Sequence, residues 1–262
     1  MPDEFLELRE VSRSFGGLQA VVDCSFRVDA GTITGLIGPN GAGKTTVTNL
    51  IAGELAPTSG RILFRGHAIS GRPAHEVARR GVARTFQLAR ELGRLTVLEN
   101  LLLAPYPQKG ERLWQAIVQP RAVREEEEEL RSRARALLER LQLAHLRNDL
   151  AETLSGGQKK LLEIARAMMT RPHLLLMDEP TAGVNPALVD QLVRYIRVLR
   201  DELGVTLLII EHNLDVVDAL CEDVVVMAAG SVLARGSLAD LRADPAVVEA
   251  YLGGGGARHA AL

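Results

Sequence analysis

The sequence predicts an α/β fold with a mainly helical segment set into it, and three observations carry that expectation. Leu174–Met177 and Val205–Ile210 are unbroken apolar runs of strand length, the pattern of parallel strands covered on both faces. Thr32–Ile37 is a short apolar run that ends in glycine and proline, and Gly43–Ala52 reads as a helix, so the order is strand, glycine-rich loop, helix. From about Leu88 to Thr170 the pattern turns helical, with Arg121–Leu143 and Gly156–Met169 as the clearest candidates.

The remaining elements follow in order. Phe5–Leu8 alternates and Ala20–Val28 is rich in valine around Phe26, so the first thirty residues read as strands. Arg61–Phe64 is a further strand, opened by the turn signal Pro57-Thr58-Ser59-Gly60. His173–Met177 and Val205–Ile210 are each followed by a helical stretch. Asp223–Met227 and Ser231–Ala234 read as a hairpin before a terminal helix ending at Leu252, and residues 253–262 are expected to be a flexible tail. The acidic run Glu125–Glu129 places Glu127 four residues before Arg131 and Glu129 four before Arg133, the pattern of a solvated helix face. The 105–120 segment, with Trp114, is an insertion to which the sequence assigns no role.

Composition narrows the class. With 262 residues, 47% hydrophobic and 24% charged, the chain can build one large core with an inserted subdomain and is far from disordered composition. A formal net charge of −2 provides no basic footprint for nucleic acid or an anionic membrane, so no nucleic-acid partner is expected. Cys24 and Cys221 stand far apart without a CxxC pair, which argues against a disulfide scaffold or zinc knuckle and fits a reducing compartment. The start MPDEFLELRE does not read as a signal peptide, and the apolar runs fall far short of the roughly 20 residues that cross a bilayer. Work at a membrane would require a partner that holds the chain there.

Gly38-Pro39-Asn40-Gly41-Ala42-Gly43-Lys44-Thr45 fits G-x-x-x-x-G-K-[ST] between a strand and a helix. Glycines allow the backbone to curl around phosphate oxygens, and the N–H groups and helix start near Gly43 favour negative charge there. Lys44 is expected at the β- and γ-phosphates, the Thr45 hydroxyl at Mg²⁺ and Thr46 near the α-phosphate. The expected ligand is a nucleoside triphosphate. A glycine-rich turn with an incidental lysine is the bland alternative, and the flanking elements speak against it.

The strand at Leu174–Met177 ends in Asp178-Glu179, at the carboxyl end where open α/β sheets place ligands. Asp178 is a candidate for Mg²⁺, and Glu179 for aligning or deprotonating an attacking water. Alone this is weak evidence, because strands often end in solvated acids; downstream of a phosphate loop it gains weight. Leu154-Ser155-Gly156-Gly157-Gln158 lies between the two motifs. Ser155 is a good N-cap, and Gly156 and Gly157 leave helix N–H groups open, which makes a second anion site. One triphosphate does not need two such sites in a chain, so the sensible use is a nucleotide held by another subunit.

That pentapeptide resembles the signature of ATP-binding cassette (ABC) proteins, and the resemblance runs from Phe5 to about Leu252. It implies a P-loop NTPase ABC cassette: a RecA-like mixed-sheet core, an antiparallel β subdomain and an inserted α-helical subdomain. The implied division is a single domain over 1–252, with 1–87 and 166–252 as the core lobe and 88–165 as the helical signature lobe. Gln87 matches the family's glutamine near Mg²⁺ and the attacking water, His212 the histidine that contacts the γ-phosphate, and Phe15 the aromatic that stacks on adenine. Read singly, each of these is an ordinary core or surface residue; their order and company give them meaning. Where much of the superfamily has aspartate, this chain has Asn185 in Pro180-Thr181-Ala182-Gly183-Val184-Asn185-Pro186, which keeps the hydrogen-bonding shape and drops the charge.

The Ala182–Pro186 form, Gly81–Gln87, Leu95–Leu101 and the ending Glu249–Gly253 resemble the ATPases of branched-chain amino-acid uptake systems. The resemblance implies ATP with Mg²⁺, a homodimer or a heterodimer with a sister ATPase, transmembrane permease subunits and, indirectly, a solute-binding protein. It also implies a peripheral place at the cytoplasmic face of the cell membrane, with Leu88 to about Asn100 meeting the permease. Three alternatives remain open: a lipid exporter's ATPase, a urea or amide importer's ATPase, and an ABC ATPase acting on nucleic acid.

Overall fold

The computed structural model describes residues 4–85, 92–105 and 120–253. The chain begins with β1 (Glu4–Phe15), β2 (Leu18–Asp29), β3 (Ile33–Ile37), α1 (Lys44–Ile51), β4 (Ser59–Phe64), β5 (His67–Ala68), α2 (Ala74–Arg79) and β6 (Val82–Arg84). Helices α3 (Val97–Leu102), α4 (Pro120–Arg140) and α5 (Gly156–Met169) follow. The chain then returns through β7 (Leu174–Asp178), α6 (Pro186–Asp201), β8 (Thr206–Ile210) and α7 (Leu214–Leu220). It closes with β9 (Asp223–Ala228), β10 (Ser231–Gly236), α8 (Leu238–Ala243) and α9 (Pro245–Gly253).

Two compact units divide these elements: residues 1–84, 173–180 and 196–262 form one, and residues 85–172 and 181–195 the other. The first unit holds both sheets. A mixed sheet has the order β10-β9-β3-β8-β7-β6, with every neighbouring pair parallel except β10 and β9. Every residue of β3, β7 and β8 is buried, which is why these strands read as continuous apolar runs rather than alternating ones. The second sheet, β2-β1-β4-β5, is antiparallel. Its strands alternate: Leu6 and Leu8 on β1, Phe26 and Val28 on β2, and Ile62 and Phe64 on β4 point inward.

Helix α1 contributes Val47, Leu50 and Ile51 to the same core as those six side chains, together with Leu36, Leu174, Leu176 and Leu208 of the mixed sheet. Burying one such aliphatic side chain stabilises by about 1.5–3 kcal/mol, so the helix that starts with Lys44 is held firmly. Phe5 meets Phe64 edge to face at 5.1 Å. A second cluster, Ile37, Val217, Val224, Val226, Leu238, Leu241 and Val247, seats α7, α8 and α9.

The second unit is built on α3, α4, α5 and part of α6. Thr96 and Glu99 form a capping box on α3, so each satisfies an otherwise unpaired N–H. Asn100 is fully buried; its amide accepts from Leu92 N–H at 2.9 Å and donates to the carbonyls of Leu92, Leu95 and Thr96 at 3.1, 3.3 and 3.0 Å. A single amide thus fixes the approach to α3, because leaving it unpaired in an apolar setting would be costly. At the far end of α5, the Arg133 guanidinium donates to the carbonyls of Met168 and Met169, favourable charge at a helix C-terminus.

Most sequence expectations land within a residue or two, but β1 runs on to Phe15 and the single terminal helix expected is two, α8 and α9. The short strands β5 and β6 and the helix α2 are additions to them. β6 has only three residues and β5 two, too few for periodicity to register. Gln87, most of the 105–120 insertion and nearly all of the expected tail lie outside the described residues.

Candidate functional site

Sheet order brings the motifs of the first unit to one edge. β8 lies between β3 and β7, and Ile210 at its end pairs with Leu36 on one side and Asp178 on the other. The loop after β3, the acids ending β7 and His212 just beyond β8 therefore emerge together at the carboxyl edge, where parallel sheets place ligands.

The loop's glycines have different reasons for being glycine. Gly38 has φ 144°, and a Cβ there would lie 2.1 Å from the Met227 carbonyl oxygen; Gly43 has φ 95°, and its Cβ would lie 2.6 Å from the Ala20 carbonyl oxygen. Both positions exclude a side chain by contact with the protein's own backbone. A Cβ at Gly41, φ 80°, would meet open space, so only its conformation calls for glycine. Helix α1 starts after Gly43 with no side-chain cap and no acid in its first turn, which leaves its positive end facing the loop.

Lys44 is 6% exposed. Its ammonium donates to the carbonyls of Gly38 at 2.7 Å and Pro39 at 2.9 Å, curling the loop around it. Burial pushes its pKa down, opposed by the charges of Glu179 and Asp178. Thr45 is exposed, Thr46 and Pro39 are half-buried, and Asn40 and Gly41 are exposed.

Asp178 is 4% exposed and paired with Arg84, whose Nη2 stands 3.3 Å from Oδ2. Arg84 also donates to Glu54 at 2.9 Å and to Asn49. One guanidinium therefore joins β6, β7 and the end of α1. Arg84 is absent from the sequence-based candidates because β6 is too short to read as a strand and its acidic partners lie 30 and 94 positions away.

Glu179 follows in the left-handed region, φ 47°, with its N–H donating to Ile210 O at 2.9 Å. A non-glycine residue there costs about 1–3 kcal/mol and persists only where its surroundings hold it. Its carboxylate meets His212: Oε1 stands 3.1 Å from Nε2. Glu211, 4% exposed, accepts the N–H groups of His212 at 3.0 Å and Asn213 at 3.3 Å on Oε2. Asn213 caps α7 by accepting from Asp215 and Val216. Glu211 has no signal in the sequence, since an acid beside a histidine looks like any polar pair until its backbone partners are seen.

Thr45 and Asp178 offer a hydroxyl and a carboxylate, hard oxygen donors suited to Mg²⁺. Among the described residues no cluster of three or more His, Cys, Asp or Glu could chelate an ion alone. This donor set fits a cation shared with substrate phosphates. Phe15, ending β1, is 42% exposed, with the Arg13 guanidinium 4.7 Å from its ring centroid.

In the second unit, Ser155 caps α5. Its Oγ accepts Gln158 N–H at 3.4 Å, and its own N–H donates to Gln158 Oε1 at 2.9 Å. A Cβ on Gly157 would stand 3.1 Å from Leu188, while one on Gly156 would stand 3.6 Å from the Gly183 carbonyl oxygen. Asn185 accepts Ala187 N–H at 3.0 Å and so opens α6; an aspartate could make the same bond.

Comparison with known proteins identifies the family. The ABC transporter family model matches residues 21–182, and the model for branched-chain amino acid ATP-binding cassette transporters matches residues 231–257. The chain is 45% identical over 250 residues to a probable branched-chain amino acid transport ATP-binding protein of Archaeoglobus fulgidus, covering 95% of this chain and 96% of that one. It is 42% identical over 253 residues to a high-affinity branched-chain amino acid transport ATP-binding protein of Pseudomonas aeruginosa, covering 97% and 99%. A crystal structure of the ADP conformation of an ABC transporter's ATP-binding cassette superposes with a TM-score of 0.82 at 38% identity, over 95% of this chain and 99% of that one. The chain belongs to the ATP-binding cassette family of ABC transporters, in the branch of branched-chain amino acid transport.

Proposed function

We propose that this chain is the ATP-hydrolysing subunit of an importer for branched-chain or related amino acids, and that it turns over only as a dimer. The observation that carries the mechanism is the meeting of Lys44, Asp178, Glu179 and His212 at the sheet edge of one unit, while the Ser155 helix start belongs to the other.

The residues take these roles. Gly38–Gly43 and Lys44 cradle the phosphates, with Thr46 near the α-phosphate, and the ammonium exchanges its loop carbonyls for phosphate oxygens. Thr45, Asp178 and Gln87 would hold Mg²⁺, which when bound neutralises the β- and γ-oxygens. Glu179 orients the attacking water and takes its proton, and His212 gives up its contact with Glu179 to donate its N–H to the γ-phosphate. Phe15 stacks on the adenine. Ser155, Gly156, Gly157 and Gln158 of a second copy or a sister ATPase close the site with helix N–H groups. The work is positioning and electrostatics for in-line attack by water.

A core lobe over 1–87 and 166–252 and a signature lobe over 88–165 would supply the two surfaces of such a head-to-tail pair. No helix among the described residues is long and apolar enough to cross a membrane. Permease subunits would hold the chain peripherally at the cytoplasmic face, and the stretch from Leu88 to about Asn100 is the surface proposed for them. The Asn100 anchor makes the described part of that stretch, from Leu92, a stiff one. Reconstitution with the permease and solute-binding protein tests the substrate. Leucine, isoleucine or valine should stimulate ATPase activity; stimulation by urea or an amide and not by these would reassign the solute.

A further inference from the structure

Arg13 and Phe15 close β1 as a pair. The guanidinium carbon stands 4.7 Å from the ring centroid, and Nη1 donates to the Ala56 carbonyl at 2.9 Å, in the segment that follows α1. Nε is buried with no hydrogen-bond partner, so the fork is held by one carbonyl and the aromatic face. Phe15 is nevertheless 42% exposed. The cation thus lies over a ring that stays partly open to solvent.

We propose that Arg13 is a positioning residue for the nucleobase, which pins Phe15 from one face and prepares the other for the purine. This rests on the reading of Phe15 as the adenine-stacking residue. Two effects favour it. A cation on one face draws π density from the ring, and the opposite face then repels an electron-rich purine less. A ring already fixed between Arg13 and the strand loses little rotamer freedom when the base arrives. Phenylalanine has no hydroxyl with which to hold the base, so stacking quality alone decides what this side chain contributes.

The test uses the full chain with two probes, ATP and inorganic tripolyphosphate, each titrated with Mg²⁺ present. Arg13→Met keeps the stem and removes the charge. It should weaken ATP binding by about three- to tenfold while tripolyphosphate binding stays within about twofold. In turnover, KM for ATP should rise more than kcat falls. Arg13→Lys, which keeps a cation over the ring, should recover most of the ATP affinity. Unchanged ATP affinity in Arg13→Met would overturn the proposal. So would equal weakening of both probes, since the charge would then act on the phosphates. Phe15→Ala separates the two levels. If it weakens ATP binding selectively while Arg13→Met does not, the stacking reading stands and the role of Arg13 fails. If Phe15→Ala leaves ATP binding intact, the stacking reading fails and the proposal with it.

Discussion

His212 Nε2 lies 3.1 Å from Glu179 Oε1, across two neighbouring strand ends of the mixed sheet. Glu179 reaches this contact from a left-handed backbone, and His212 reaches it from a turn tied down by the buried Glu211 carboxylate. A strained acid and an anchored histidine thus converge at the sheet edge, the fixed geometry that the roles proposed for them would require.

Glu179→Gln removes the base while keeping the shape of the side chain. ATP should still bind, kcat should fall by at least about 100-fold, and the dimer should accumulate on gel filtration with ATP. Hydrolysis at the parent rate would contradict the role given to Glu179.

Glu211 acts on the histidine turn through backbone N–H groups, so its variants should separate shape from charge. Glu211→Gln retains an acceptor and should keep most activity. Glu211→Ala should lower kcat by about tenfold with little change in KM, because the His212 turn loosens while the phosphate loop is untouched. Equal activity in both variants would leave the turn without need of its anchor.

Arg84 and Asp178 are both nearly buried, with side-chain exposures of 11% and 5%. Arg84→Met should therefore destabilise the nucleotide-free protein by about 3 kcal/mol, since breaking a buried pair strands the remaining carboxylate. Urea unfolding measures this directly. A loss typical of an exposed pair would show that water reaches the site.

Cys24 and Cys221 are both pushed from the ordinary value of 9.0 up to about 12 by burial, and for Cys221 Glu211 and Asp223 add to the effect. Native protein at pH 8 should react with a thiol reagent far more slowly than unfolded protein. The sign of the linkage follows. Below about pH 9 both states keep neutral thiols and the cysteines contribute no pH dependence. Between about 9 and about 12 the unfolded chain ionises first, so their effect is to lower stability as pH rises. Fast labelling of the native protein would contradict the burial.

How much the sequence disclosed depends on what kind of interaction made each feature. The strands at Leu174–Asp178 and Thr206–Ile210 were legible because burial on both faces leaves an unbroken apolar run. The helix at Gly156–Met169 was legible because its cap and glycines are local. Arg84 and Glu211 are not. Arg84 owes its position to distant partners, Asp178 across 94 positions and Asn49 across 35. Glu211 binds the N–H groups of the next two residues, a contact that its residue type does not announce. At Gly38 and Gly43 the residue type is legible and its cause is not, since they are fixed by Met227 and Ala20 respectively, far from the loop in sequence.

The central claim is that a nucleotide bound by one copy becomes hydrolysable only under the Ser155 helix of another. ATPase rate against protein concentration, with association state measured in the same samples, tests it most directly. Rate per chain should climb with concentration as dimers form and vanish toward infinite dilution. A constant rate per chain, down to concentrations where only single copies are present, would contradict it.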